Sequence, residues 1–291
     1  MKISKGEKAF YAVNTAFLIL LTFIIMYPLI YVISASLSSS EALKMGEVVL
    51  FPKDFSLAAY KYIFGMNEIW ISYLNSIYYT VVGTAVCMVV TISCAYPLSK
   101  DKLPGKRIFG FFLMVTMWFS AGTIPMYLNF RDLGLLNTRS AIILGFACET
   151  FNVILMRNFF MSVPKSLEEA AEIDGAGQWR ILTKIYLPLS MPAIATITLF
   201  YAVAKWNGYF WSMILLNNDK LIPLQVLIKK MIVELKVPME QADLVDASTQ
   251  EVTEETVVYA SIIVSSLPML ILYPFIQRFF VKGVMVGAVK G

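Results

Sequence analysis

Long apolar blocks recur along this chain without the polar stripe that a soluble core helix shows every 3.6 residues. The first, "AFYAVNTAFLILLTFIIMYPLIYVISASLS", is apolar on every side. A helix needs about 20 such residues to cross the roughly 30 Å of hydrocarbon in a bilayer. Hydrophobic residues make up 58% of the chain and charged residues 15%, with a mean hydropathy of +0.69. These properties describe an all-α, multi-pass membrane protein. Six spans are expected, at about 9–37, 70–98, 107–131, 138–161, 191–217 and 257–280. The basic start, with Lys2, Lys5 and Lys8, suits a signal peptide, but the apolar run far exceeds the roughly 7–15 residues of a signal core. It is read as an uncleaved first span.

Orientation follows from the basic residues. Of 24 Lys and Arg, fourteen flank the side of the N-terminus, nine the other side, and Lys205 falls within a span. The short loop "SKDKLPGKR" is the clearest anchor. Both termini and the Ser166–Leu189 segment are therefore expected in the cytoplasm. Two outer loops, about 38–69 and 218–256, are long. In the second, Leu224, Leu227, Ile228, Met231 and Ile232 share one helical face, suited to the membrane surface or a partner. Its remainder, with Glu240, Asp243, Asp246, Glu251, Glu254 and Glu255, reads as a solvated loop. The chain thus divides into a tail, first span and outer loop (1–69), a core (70–282) and a C-terminal tail (283–291).

One segment stands apart: "SLEEAAEIDGAGQWRILTKIYLPL", Ser166 to Leu189, holds Glu168, Glu169, Glu172 and Asp174 in seven residues. Pro164 stops the preceding span, and Ser166 with Glu169 fits a capping box. Ala170 and Ala171 give a small face, and Gly175 and Gly177 bend the chain. A second short helix groups Ile181, Leu182 and Ile185 and is expected to end at Pro188. Helices lying on anionic lipid favour Lys and Arg. An acidic, Ala-faced helix suits a protein partner better.

Glu169-Ala170-Ala171, Gly175 and Ile185-Tyr186-Leu187-Pro188 reproduce the EAA-x3-G-x9-I-x-L-P signature, and the chain resembles permease subunits of bacterial ATP-binding-cassette (ABC) importers. The stretches "YLNSIYYT", "IPMYLNFRDLGLLNT", "FNVILMRNFFMSVPKSLEEAAEIDGA", "WNGYFWSMILL" and "FFVKGVMVGAVKG" are similar to carbohydrate permeases of the maltose type. The "LIPLQVLIKKM" loop leans toward the polysaccharide and complex-oligosaccharide subgroup. The resemblance implies a type I permease fold of six transmembrane helices. Its coupling helix, at about 165–189, would use Glu169, Ala170, Ala171, Asp174, Gly175, Ile185, Leu187 and Pro188 against an ATPase cleft. It also implies that the tail, with Lys282, Gly283, Gly287 and Lys290, enters the ATPase interface. The partners would be a second homologous permease, two ATPase subunits, an extracellular solute-binding protein, an oligosaccharide and the bilayer, with no nucleic acid.

Glu149 and Lys205 carry charge inside expected spans, at a cost of roughly 2.5–3.5 kcal/mol each on insertion scales. They can pair with each other or face a watery cavity. In "YAVAKWNGYFW", Trp206 and Asn207 match a Trp-Asn pattern on a cavity-lining helix of the family, and Tyr201, Tyr209 and Trp211 are further pathway candidates. Lys205 departs from that pattern, and a fixed cation there favours an anionic substrate such as a uronic-acid oligosaccharide.

Catalysis is not expected. The chain has no G-x4-GK[ST] loop and no His, so ATP and Mg belong to the partner ATPase and no cofactor is expected on this chain. The odd set of Cys87, Cys94 and Cys148, without CxxC, offers neither a disulfide framework nor a metal site. The reading is one half of a binding-protein-dependent oligosaccharide importer. The alternatives are an ABC importer of a non-sugar solute, a non-transporting membrane scaffold, or an ion-gradient-driven transporter. The last wants several intramembrane carboxylates, and only Glu149 is available.

Overall fold

The computed structural model describes residues 4–234 and 253–288, with the side chains of Lys5, Glu234 and residues 272–288 outside that description. Among the described residues all regular structure is helical. The chain forms two compact units, 1–69 with 228–267, and 70–227 with 268–291.

In the first unit, α1 (Lys5–Ser36) opens on a capping box, Glu7 N donating to Ser4 Oγ (3.2 Å) and Ser4 N to Glu7 Oε2 (2.7 Å). It runs through Pro28, and its apolar side chains are exposed, as a lipid-facing or partner-facing helix requires. The serine run at its C-terminal end buries hydroxyls, each of which finds a partner, as buried polar groups must. Ser34 Oγ donates to the Leu50 carbonyl (2.6 Å), while Ser38 Oγ accepts from Lys53 N (3.0 Å) and Ser40 Oγ from Thr253 N (2.9 Å). Short helices α2 (Ser40–Lys44) and α3 (Ala58–Gly65) complete that knot.

The second unit is organised on α4 (Asn67–Ser99), which also runs through a proline, Pro97. Along it, Asn75 Nδ2 donates to the carbonyls of Lys220 (2.9 Å) and Ile222 (3.1 Å), and Tyr79 OH to that of Leu221 (2.8 Å). Ser76 Oγ accepts from Leu224 N (2.8 Å), so the "YLNSIYYT" stretch is the clasp that holds the 220–224 backbone.

Three of the remaining expected spans are interrupted. α5 (Lys106–Trp118) and α6 (Thr123–Asp132) meet at a 116° bend. α7 (Arg139–Leu144) is separated from α8 (Thr150–Met161) by residues 145–149. α9 (Lys165–Ile173) and α10 (Gln178–Ile181) precede a π-helical turn, Leu182–Tyr186, and α11 (Leu187–Leu189). After an 82° bend come α12 (Met191–Asn207) and α13 (Phe210–Leu215). The stretches expected at 107–131, 138–161 and 191–217 are thus each broken. By length and composition three helices among the described residues are able to cross a membrane unbroken, within Gly6–Ser36, Asn67–Ser99 and Glu254–Ile271, or up to five if each bent pair counts as one.

The start of the 145–149 break is tightly packed. A Cβ on Gly145 would lie 2.3 Å from Phe130 Cζ and 2.5 Å from the Ala141 carbonyl oxygen. Phe130 in turn stacks with Phe146 (centroids 5.6 Å apart) and Trp211 (6.3 Å). The freed amide of Glu149 is met by Tyr201 OH at 3.3 Å, the kind of substitute partner that broken helices in a membrane require.

The helix α14 (Leu224–Glu234) corrects one expectation. Leu224, Leu227, Ile228 and Met231 are buried within the chain rather than presented to lipid or a partner. Its amphipathic stripe is satisfied internally. Residues Glu240, Asp243, Asp246 and Glu251 lie outside the described residues, and Glu254 and Glu255 open α15 (Glu254–Ala288), where acids favour a helix start.

Gly145→Ala is expected to lower the thermal midpoint of the purified protein, because the Ala141 carbonyl cannot swing away from a new methyl. An unchanged midpoint would contradict the close packing of Phe130 on this glycine.

Candidate functional sites

The 165–189 segment departs from the sequence reading at both ends of its helical pair. α9 starts at Lys165 with Pro164 as its cap, the Pro164 carbonyl accepting Leu167 N (3.2 Å). Ser166 therefore lies inside the helix and forms no capping box. Proline's fixed φ already directs the chain into the first turn. Gly175, at φ +77°, closes α9 in a Schellman motif. Gly175 N donates to the Glu172 carbonyl (3.0 Å) and Ala176 N to that of Ala171 (2.9 Å). Pro188 does not end the second helix, which continues to Leu189. The π turn before it bonds Leu187 N to the Leu182 carbonyl, and its extra residue makes room for the proline ring.

One face of the segment is locked. Lys100 Nζ meets Glu168 Oε1 at 2.7 Å, and Tyr186 OH donates to Glu168 Oε2 at 2.6 Å. The same ammonium sits 4.2 Å from the Tyr96 ring centre and 3.9 Å from that of Tyr186. Tyr96, Phe160 and Tyr186 pack edge to face at 5.2–6.1 Å. Tyr96 OH donates to Gln178 Oε1 (2.8 Å), and Gln178 Nε2 to Glu172 Oε1 (3.2 Å), bridging the glycine hinge. Asp101 pairs with Lys165 and Lys106, and those hydrogen bonds hold its carboxyl below the usual range. Burial raises the Glu168 pKa, but the bonds from Lys100 and Tyr186 outweigh it and leave the group below its ordinary value.

The signature residues divide around this clamp. Ala171, Ile185 and Leu187 pack half-buried against the core, while Glu169, Ala170, Asp174, Gly175 and Pro188 are exposed. Ile173 and Trp179, with 87% and 76% of their surface exposed, extend the outward face. Sequence reasoning missed those two and the Lys100–Tyr96–Tyr186 cage. The available signal was the basic "SKDKLPGKR" loop, read only as a topology anchor although an acidic segment needs a counter-charge.

A second site is a cavity of about 650 Å3 where the helices break. Glu149, Lys205, Asn207, Tyr209 and Trp211 all line it, together with Phe146, Asn152 and Tyr201. Trp206 does not. It is buried with its ring edge-to-face on Tyr73 (5.9 Å), because one residue along a helix turns the side chain by about 100° away from its neighbour. No ion pair joins Glu149 and Lys205 among the described residues. Lys205 Nζ instead donates to the Ile142 carbonyl at 2.8 Å. Lys282, Gly283 and Gly287 fall on the last turns of α15, their surroundings outside the description, and Lys290 lies outside the described residues.

Residues 4–286 match the model of the binding-protein-dependent transport system inner membrane component. The chain belongs to that family of permeases. It is 43% identical, over 94% of its length and 96% of the relative's, to the polygalacturonan/rhamnogalacturonan transport system permease protein YtcP of Bacillus subtilis. Protein LplC of the same organism is 38% identical over the whole of this chain and 98% of its own. The crystal structure of a bacterial ABC transporter involved in the import of the acidic polysaccharide alginate contains a chain that superposes with a TM-score of 0.90. That chain is 45% identical, and the match covers 96% of this chain and 99% of that one. The fold is that of a type I ABC importer permease: a multi-pass membrane protein that transports and is not an enzyme.

Glu168→Gln is expected to weaken the clamp in a pH-dependent way. A carboxyl held below its reference value of 4.5 stabilises the folded segment fully above that pH and loses the contribution as pH falls through the folded value. Hydrogen exchange across 165–176 should therefore separate wild type from variant at neutral pH and converge in acid. A constant gap at all pH values would contradict the assignment.

Proposed function

We propose that this chain is one of two permease subunits of an ATP-driven importer of oligosaccharides derived from acidic polysaccharides. The observation that carries the reading is the two-faced 165–189 segment. Its inner face is tied to α4 by the Lys100–Glu168 pair, and its outer face leaves Glu169, Ala170, Ile173 and Trp179 uncovered. That arrangement suits force transmission: a helix gripped by the membrane bundle on one side and free to seat in an ATPase cleft on the other. The acidic cargo is supported by relatives named for polygalacturonan and alginate. The aromatic cavity wall supports a sugar, since rings stack on its C–H faces.

In this reading the termini and the 165–189 segment are cytoplasmic, and six spans form half of a pathway completed by a second permease. An extracellular binding protein delivers the oligosaccharide. Two ATPase subunits bind ATP and Mg, and their closure drives the segment. The tail around Gly283 to Gly291 adds a second contact with them.

Gly175→Pro tests the reading. Proline can neither reach the positive φ of Gly175 nor supply the amide that bonds Glu172. In the full complex the variant should hydrolyse ATP without moving substrate while remaining inserted. Transport per ATP equal to wild type would sink the assignment.

A further inference from the structure

Lys205 and Asn152 line the same cavity and are unusual in complementary ways. Lys205 is a half-buried cation with no carboxylate within ion-pair distance among the described residues. Its ammonium donates to the Ile142 carbonyl at 2.8 Å, which leaves two of its three N–H donors for a ligand. Asn152 is only 4% exposed, yet its Oδ1 has no hydrogen-bond partner, a costly state for a buried acceptor. The lysine stem crosses Gly83, where an added Cβ would sit 3.2 Å from Cε and 3.3 Å from Cδ. The missing side chain of Gly83 is therefore the groove in which the stem lies.

We propose that Lys205 and Asn152 form a subsite for one uronate unit of the cargo, Lys205 taking the carboxylate and Asn152 Oδ1 accepting from a hydroxyl. Gly83 is the positioning residue that sets the lysine. Phe146, Tyr209 and Trp211 supply apolar wall beside this polar pair. The inference rests on the proposed function and adds the side chains that read the charge.

The test uses the complete importer with its binding protein in proteoliposomes. Half-saturation for uptake is measured with trigalacturonate and with its neutral methyl ester, each variant divided by wild type for the same sugar so that the binding protein's preference cancels. Lys205→Gln should raise the value for the acid about tenfold relative to the ester, the loss of one charge-assisted hydrogen bond. Gly83→Ala should shift the same ratio in the same direction by less. Asn152→Leu should raise the values for both sugars together. If Lys205→Gln fails to assemble, Lys205→Met is read in its place. Wild type importing neither sugar would refute the proposed function itself. Import with an unaltered acid-to-ester ratio in the lysine variant, or with Asn152→Leu unchanged for both sugars, would overturn the subsite alone.

Discussion

The pairing of Lys100 with Glu168 is the contact that fixes the 165–189 segment to the rest of the chain. An exposed ion pair of this kind contributes at most about 1 kcal/mol. Here both side chains retain only 17% of their exposure, two tyrosine rings flank the ammonium, and a tyrosine hydroxyl takes the second carboxylate oxygen. Removing either partner strands a charge that water reaches poorly, and that is where shielded pairs become costly to break. The pair joins residues 68 apart in sequence and ties the start of α9 to the end of α4. Tyr186 draws in the π turn as well. A short acidic helix, which would gain little from propensity alone, is thereby held at a set angle to the bundle.

A second constraint acts within the apolar region. Backbone groups in hydrocarbon need partners, so helices break only where protein or a cavity receives the ends. The breaks after Leu144 and Asn207 both open onto the 650 Å3 cavity. Tyr201 stands between them, its hydroxyl meeting Thr91 Oγ1 (2.7 Å) and the Glu149 amide (3.3 Å). The interruptions that spoil long spans also create a polar-lined space inside them. On the proposed function, clamp and cavity are the two ends of one lever.

Much of this was legible from the residues. The hydropathy of the α1, α4 and α15 stretches and the Gly175 hinge follow from local pattern, whereas the cavity place of Asn207 follows only from the family resemblance. What escaped was non-local or steric. Averaged hydropathy is blind to a break in a stretch that stays apolar, so 138–161 reads as one span. Trp206 shares a motif with Asn207 but not a face. The stripe of α14 looked outward because amphipathicity states that a face is buried, not against what. Lys100 and Glu168 belong to separate loops, and only charge complementarity hinted at their contact. Ser166 has the spacing of a cap, but Pro164 starts the first turn two residues earlier.

The central claim, that the outward face of 165–179 seats in an ATPase subunit, is tested most directly by photo-crosslinking. A benzophenone side chain placed at Ile173, 87% exposed and clear of the clamp, reports whatever lies against it in the assembled complex. The account predicts an adduct with the ATPase whose yield changes when ATP is bound and hydrolysed. Adducts with lipid alone, or with no nucleotide-dependent partner, would contradict it.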